Sequence, residues 1–183
     1  MRAFRPLRFL KRLLGLVVVL VLLAVAVAYL LPRDVQVSRS ITIDAAPERV
    51  FPLVDSLKET PNWSPWLGLD PEVRLAFTGP EAGVGNRLDW RSDHPQVGSG
   101  MQIITASTPD SHVGFDLDFG NMGKATGAFD LAPAGTGTRL TWSFRTDMGL
   151  NPVARWMGLM MDRWVGTDFE RGLVSLKRLA EAG

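Results

Sequence analysis

The feature that most constrains this chain is an uninterrupted apolar run near its N-terminus. The nineteen residues from Leu13 to Leu31 contain no charged or strongly polar side chain, and fourteen of them are leucine or valine. As a helix that rises about 1.5 Å per residue, the run would span roughly 29 Å, close to the ~30 Å hydrocarbon core of a bilayer. Leucine and valine each contribute about −0.3 to −0.6 kcal/mol to insertion. Residues 13–31 are therefore predicted to be a membrane segment.

Basic residues stand directly before this run, and no acidic residue accompanies them. Residues 1–12 contain five of them, which are Arg2, Arg5, Arg8, Lys11 and Arg12. Lysine and arginine accumulate on the cytoplasmic side of membrane segments. Residues 1–12 are thus predicted to be a basic cytoplasmic tail, with the rest of the chain outside, in the periplasm if the host is Gram-negative.

Two other interpretations of residues 13–31 remain open. A cleavable leader has a shorter apolar stretch followed by small residues, and Ala24-Val25-Ala26 or Ala26-Val27-Ala28 fits such a cleavage site. The apolar run nevertheless continues through Tyr29-Leu30-Leu31, which favours a retained single-pass anchor over secretion after cleavage. The remaining interpretation is a core helix of the globular part. All three leave the same folded domain at residues 32–183.

The 152 residues beyond the apolar run are enough for one domain with a hydrophobic core. They contain all nineteen acidic residues and fifteen basic ones, a formal charge of −4, which argues against a nucleic-acid partner. The chain has no cysteine, which excludes disulfides, thiolate nucleophiles and thiolate metal sites.

Two periodicities divide this domain into strands and helices. Val35, Val37, Ile41 and Ile43 alternate with polar residues, as in a half-buried strand, and a helix start follows at Asp44-Ala45-Ala46-Pro47. Further period-two segments, separated by glycine, proline or aspartate, occur at 73–77, 88–90, 101–103, 113–119, 129–131 and 140–144. Six strands without intervening helices predict an antiparallel meander. From Asn151-Pro152 the period becomes helical, which predicts one long amphipathic helix.

Several local motifs resemble a known family. They are Ile41-Thr42-Ile43-Asp44-Ala45-Ala46-Pro47-Glu48-Arg49-Val50-Phe51, Trp63-Ser64-Pro65-Trp66, Gly166-Thr167-Asp168-Phe169-Glu170-Arg171-Gly172-Leu173, and Leu176-Lys177. Over about residues 35 to 181, the chain resembles SRPBCC proteins of the polyketide cyclase/dehydrase and lipid-transport group. The resemblance implies an α+β helix-grip fold of the START type, an antiparallel sheet wrapped on the long C-terminal helix around an apolar cavity. This superfamily hosts lipid carriers, cyclases, hydroxylase subunits and chaperone activators, so the motifs mark the fold rather than an activity.

A set of large, adjustable apolar side chains is predicted to face the interior. The sheet contributes Trp90, Met101, Phe115, Trp142 and Phe144, and the last helix contributes Met157, Met160, Met161 and Trp164. Such residues either line a cavity for a hydrophobic ligand or fill a packed core. Periodicity favours the core, and the resemblance brings the two interpretations nearly level. These residues are candidate ligand-binding residues.

Three more residues are candidates for ligand contact. Trp63 and Trp66, on one loop, form either a lid over a pocket, a contact with a membrane surface, or a plug that holds the small helices on the sheet. Arg39 interrupts an apolar register between Val37 and Ile41. A buried charge needs a partner, so Arg39 either contacts an anionic headgroup or forms a salt bridge at the sheet edge, and the salt bridge is favoured.

The sequence offers no motif for catalysis, and we predict no catalytic residue, metal ligand or cofactor. His94 and His112 are interpreted as solvated histidines, and Asp116 and Asp118 as exposed strand residues. The predicted function is noncatalytic binding or transport of a hydrophobic small molecule or lipid by a membrane-tethered domain. The alternatives are a polyketide cyclase/dehydrase-like enzyme and a protein-interaction module with a closed core.

Overall fold

The computed structural model describes residues 6–182, which form two compact units. Of these residues, 6–33 and Met148–Met160 form one unit, and Asp34–Asp147 and 161–182 form the other. Arg2 and Arg5 of the predicted basic tail lie outside the described residues.

The first unit contains helix α1 (Pro6–Ala28) and the beginning of the last helix, α4 (Pro152–Ala182). The stretch Phe9–Ala28 is long and apolar enough to cross a membrane, a test that a signal sequence also passes. Asn151 caps the start of α4, because its side-chain oxygen accepts the Val153 N–H at 2.9 Å.

The second unit is a seven-stranded sheet with short helices and the rest of α4. Its strands are β1 (Asp34–Ile43), β2 (Arg74–Thr78), β3 (Arg87–Arg91), β4 (Ser99–Thr108), β5 (His112–Asp118), β6 (Lys124–Ala134) and β7 (Gly137–Asp147). Helices α2 (Pro47–Asp55) and α3 (Thr60–Trp63) and a 3₁₀ turn (Leu67–Leu69) connect β1 to β2, and a second 3₁₀ turn (Gly120–Met122) connects β5 to β6.

All neighbouring strands are antiparallel, in the order β1-β7-β6-β5-β4-β3-β2. The chain order is thus a strand, two short helices, a meander and a long helix, and the α+β helix-grip prediction is confirmed. Side chains on one face, here called the inner face, pack with α2, α3 and α4 into one buried core. The opposite side is called the outer face.

Helix α4 is fixed along edge strand β1 by polar contacts at several heights. The Lys177 ammonium donates to the Thr42 carbonyl at 2.7 Å, and the Asp44 N–H donates to the Glu181 carboxylate at 2.7 Å. Arg39, in the middle of β1, contacts Asp162 much earlier on the helix. Within this unit α4 therefore runs from the start of β1 towards its end.

Candidate functional site

The inner face is unevenly buried, and this divides it into two ends. At the end that contains Ile43, called the closed end, Val113, Leu131 and Leu140 are at most 6 % exposed. At the end that contains Asp34, called the open end, Trp90, Leu117 and Phe144 are half-buried, although Val37, Leu88 and Ala125 beside them are at most 6 % exposed. The open end therefore offers apolar side chains that the protein itself does not fully cover.

The sheet-facing stripe of α4 shows the same gradient. Met161 and Val165 are half-buried, whereas Phe169, Leu173 and Leu176 are at most 2 % exposed. Because α4 runs from the start of β1 towards its end, Met161 and Val165 belong to the open end. The predicted ligand residues Trp90, Phe144 and Met161 thus share one end of the inner face.

Trp142 lies in an aromatic cluster at the centre of the inner face. Its ring stacks on Phe169 with centroids 3.9 Å apart, and Phe129 and Trp63 contact it at 5.1 and 5.4 Å. Phe115 continues the cluster, 5.5 Å from Phe129. Trp142 and Phe115 were candidate cavity residues, and the structure places both in this packed, buried cluster.

The tryptophan loop is packed against the same cluster. Trp63 is 4 % exposed and donates its indole N–H to the Leu53 carbonyl at 2.9 Å. The half-buried Trp66 donates to the Asp168 carboxylate at 3.1 Å and contacts Trp142 edge-on. Both indole donors are therefore satisfied within the domain, and the geometry is that of a plug that holds the short helices on the sheet.

Glycines make room for large aromatic rings on the inner face, a feature that the sequence analysed by period alone does not reveal. A Cβ atom on Gly127 would lie 2.5 Å from the Phe115 ring on the neighbouring strand, and one on Gly100 would lie 2.5 Å from the Trp90 ring. Each glycine is directly opposite its aromatic partner across an antiparallel pair. A glycine across from a large aromatic residue in a predicted meander is the signal that would have revealed these contacts.

Arg39 shares the inner face with its cross-strand partner Trp142, as its predicted register requires. Its guanidinium donates to Asp162 at 2.9 Å and to Glu170 at 2.8 Å, so two carboxylates of α4 neutralise it. These hydrogen bonds, that to Asp162 most, raise the pKa of Arg39 above its ordinary value. The arrangement is the salt bridge that the sequence favoured, and Arg39 is not free to hold an anionic headgroup.

The hydrogen bond from Arg39 lowers the pKa of the Asp162 carboxyl below its ordinary value. Because this pKa is lower in the folded state, the pair stabilises the fold fully above the ordinary carboxyl pKa. That contribution is lost as the pH falls through the lowered pKa. Asp162 is exposed, so salt screens the interaction.

Gly166 and Arg39 form a contact that a double-mutant cycle can test. A Cβ atom on Gly166 would overlap the Arg39 guanidinium. In an Arg39→Ala background we expect Gly166→Ala to raise the free energy of unfolding by up to about 1 kcal/mol, because alanine favours helix. In the wild type we expect a loss of about 1 kcal/mol, because the methyl group displaces Arg39 from its carboxylates. Urea denaturation monitored by circular dichroism measures both values, and an equal effect in the two backgrounds would contradict the contact.

The predicted face of Met101 is wrong. Met101 pairs with Asp118 on β5 and with Asp89 on β3, so it lies on the outer face. The adjacent Gln102 pairs with the inner-face residue Leu117, and Ile104 is 1 % exposed. Apolar residues occur at both odd and even positions of β4, and a register shift follows Ile104. Alternation alone therefore could not show which side chains of β4 face the core. The correct register adds Gln102 as a half-buried polar group at the open end.

The other helix candidates are exposed rather than enclosed. Met160 and Trp164 are 40 and 50 % exposed, because each precedes a sheet-facing residue by one position and points about 100° away from it. Met157 is 51 % exposed and, like Met160, belongs to the first unit. Their role in ligand binding remains a prediction.

Two grooves are formed mainly by the outer face. One, of about 420 Å³, is lined by Met101 and Ile103 together with charged side chains such as Asp116 and Lys124. The other, of about 290 Å³, is lined by residues of β1, β6 and β7. Lys124 holds the pKa of Asp118 below its ordinary value through a hydrogen bond. The first groove is thus partly charged, unlike the inner face at the open end.

A serine, a histidine and an aspartate meet beside β3, but not as a catalytic triad. Ser92 donates its hydroxyl to Asp70 and accepts the His94 backbone N–H. The His94 ring accepts the Gln96 N–H at 3.3 Å instead of contacting the serine hydroxyl. The bond from Ser92 lowers the pKa of Asp70, which fits a turn stabilised by side chains. Among residues 6–182, no group of three or more histidine, aspartate or glutamate side chains could hold a metal ion.

Three solved structures illustrate the likeness of this fold to known proteins. The Aha1 dimer from Colwellia psychrerythraea is 19 % identical with a TM-score of 0.53, over 80 % of this chain and 96 % of that chain. StfQ, a di-domain ARO/CYC from the steffimycin biosynthetic pathway, is 14 % identical with a TM-score of 0.61, over 81 and 51 %. Protein SA2116 from Staphylococcus aureus, of unknown function, is 11 % identical with a TM-score of 0.62, over 81 and 94 %. Identities this low show the fold alone.

The family comparison extends over most of the chain. Residues 34–181 match the family described as polyketide cyclase / dehydrase and lipid transport. No curated protein matches the chain. The match covers the whole sheet and nearly all of the second unit's part of α4, so the chain belongs to the polyketide cyclase/dehydrase and lipid transport family.

Proposed function

We propose that this chain is a membrane-tethered, noncatalytic binder or carrier of a hydrophobic small molecule or lipid, held at the open end of the inner face. The family fold supports a hydrophobic-ligand-binding or cyclase-like domain. The observation that carries the proposal is the incomplete burial of large apolar side chains at the open end. Trp90, Leu117, Phe144 and Met161 stay half-buried there, beside the buried Val37, Leu88 and Ala125 of the same face.

The open end has the composition of a hydrophobic ligand site. Trp90 and Phe144 offer rigid aromatic walls, Met161 offers a flexible thioether, and Gln102 adds one polar group that can orient a ligand. A half-buried apolar wall gains free energy when a ligand completes its burial. Membrane lipids and other hydrophobic molecules fit this surface.

The tether places the domain where such ligands are found. Helix α1 supplies the proposed anchor, and residues 29–33 join it to β1. Five extended residues span at most about 18 Å, so the linker is short. The basic residues before the apolar run, at positions 2–12, support a cytoplasmic N-terminus with the folded domain outside.

The contacts of Arg39 argue against a cyclase-like enzyme in which Arg39 carries out the chemistry. Asp162 and Glu170 both neutralise the guanidinium, so Arg39 has no free charge with which to polarise a substrate. It instead holds α4 on β1. We therefore favour the noncatalytic function over an enzyme that uses Arg39.

Met161→Trp is expected to fill the ligand space. If Met161 lines a site, the larger ring occupies it and stability stays within about 1 kcal/mol, whereas overpacking in a filled core costs about 1–3 kcal/mol. Native mass spectrometry of the full chain, extracted from its own membrane in mild detergent, should show a bound small molecule in the wild type and its loss in Met161→Trp. Arg178→Trp, at an exposed position of α4, is the matched control and should keep the ligand.

Two outcomes would overturn this function. Marked destabilisation of Met161→Trp with no bound molecule in either protein would favour the interaction module with a closed core. A co-purified molecule that the wild-type chain converts into a product would favour the cyclase-like enzyme.

A further inference from the structure

An exposed apolar surface lies in the first unit, outside the proposed ligand site. The segment Met148–Met160 contains no acidic residue and a single basic one, Arg155. Six of its large apolar side chains are exposed to solvent by 40 to 69 %, and they are Leu150, Val153, Trp156, Met157, Leu159 and Met160. Large exposed apolar side chains that follow one another this closely along a short segment indicate an interaction site.

The one charge of this segment is turned away from solvent. Arg155 is 8 % exposed and donates to the Gly149, Tyr29 and Leu31 carbonyls at 3.0, 3.2 and 3.4 Å. Its guanidinium also lies over the Tyr29 ring, 5.3 Å from the centroid. The cation therefore joins the segment to the end of α1, where a helix terminus attracts positive charge. The surface that remains exposed carries no charged side chain.

The contact between Trp156 and α1 indicates how deep this surface would lie in a bilayer. The Trp156 indole N–H donates to the Ala24 carbonyl at 3.1 Å, and Ala24 belongs to the apolar stretch Phe9–Ala28. Ala24 lies four positions before Ala28, the last residue of α1, which is about 6 Å along the axis. Tryptophan is enriched at this level of a bilayer, and amphipathic helices bury their apolar face about 5–10 Å into the boundary of headgroups and acyl chains.

We propose that Met148–Met160 is an interfacial surface that enters the lipid boundary beside α1, an inference that rests on the proposed membrane tether. The occupant is the bilayer itself. Because Arg155 is committed to backbone carbonyls, the surface binds zwitterionic lipid as well as anionic lipid. It makes the start of α4 a second membrane contact of the chain.

The natural absence of cysteine allows a direct test. Single-cysteine variants of the full chain, Met157→Cys, Leu22→Cys and Arg178→Cys, are labelled with an environment-sensitive fluorophore and reconstituted into phosphatidylcholine vesicles. Doxyl-labelled phosphatidylcholine should quench the label at 157 at least about threefold more than the label at 178, where aqueous iodide should quench instead. The label at 22, inside α1, reports the tether. Val153→Cys repeats the measurement at a second exposed position.

Each alternative outcome has its own signature. If the labels at 157 and 153 behave like the one at 178 while 22 is quenched by lipid, the interfacial surface is wrong and the tether stands. If 157 and 153 are shielded from both quenchers, a protein or a second copy covers the segment, and the lipid assignment is wrong. If lipid does not quench the label at 22, the tether fails and the inference fails with it.

Discussion

Trp142→Ala is expected to lower the free energy of unfolding by about 3–5 kcal/mol, the usual cost of removing a large buried aromatic side chain. Trp142 is 5 % exposed, and its ring stacks on Phe169 at 3.9 Å. Its truncation would leave a cavity between α4 and the sheet and remove contacts with Trp63 and Phe129. Denaturation of the full chain in detergent, followed by near-ultraviolet circular dichroism, measures the loss.

Trp164→Ala is the matched control for this change. Trp164 is the same residue type on the helix that covers Trp142, but it is 50 % exposed. Its truncation should cost less than about 1 kcal/mol. Equal losses at the two positions would contradict the packed cluster. A small loss at Trp142 would indicate that this ring borders open space, as the cavity interpretation requires.

Gly172→Ala is expected to destabilise the fold by about 2 kcal/mol, although alanine is the better helix former by about 1 kcal/mol. The added Cβ would lie 2.8 Å from the Trp142 ring and 3.1 Å from Pro65 Cδ. Trp142 belongs to the packed aromatic cluster and Pro65 to the tryptophan loop packed against it, so neither moves freely and overpacking exceeds the helical gain. Thermal unfolding compared with the wild type provides the measurement.

A second background separates the steric cause from a general effect of the substitution. In Trp142→Phe the smaller ring leaves room above Gly172, so the added cost of Gly172→Ala should fall below about 1 kcal/mol. An unchanged cost in this background would show that contact with Trp142 is not the cause.

Features with a strong period could be predicted from the sequence. The alternation around Val37 and Ile41 predicted β1 and placed Arg39 on the inner face, which the pairing with β7 confirms. Asn151-Pro152 predicted the start of α4, because the cap and the first-turn proline are local signals. The order of these elements was sufficient to predict the fold class.

Features that depend on contacts across the chain could not be predicted. Apolar residues occupy both odd and even positions of β4. The face on which Met101 lies is therefore set by the pairing of β4 with β3 and β5, and the sequence of β4 does not determine it. The apolar period of α4 runs through both units, so it does not reveal that Met157 belongs to the first unit and is 51 % exposed. The glycine contacts beneath Trp142 and Phe115 likewise require residues distant in sequence.

The polar contacts between α4 and β1 also bear on aggregation. β1 is an edge strand, and an unpaired edge is a template on which another chain can add a strand. Lys177 occupies the Thr42 carbonyl, Glu181 occupies the Asp44 N–H, and Arg39 donates to the Ser38 carbonyl. These side chains hold backbone groups that an intruding strand would need. These side chains, two of them from the long helix, therefore disfavour edge-to-edge association through β1.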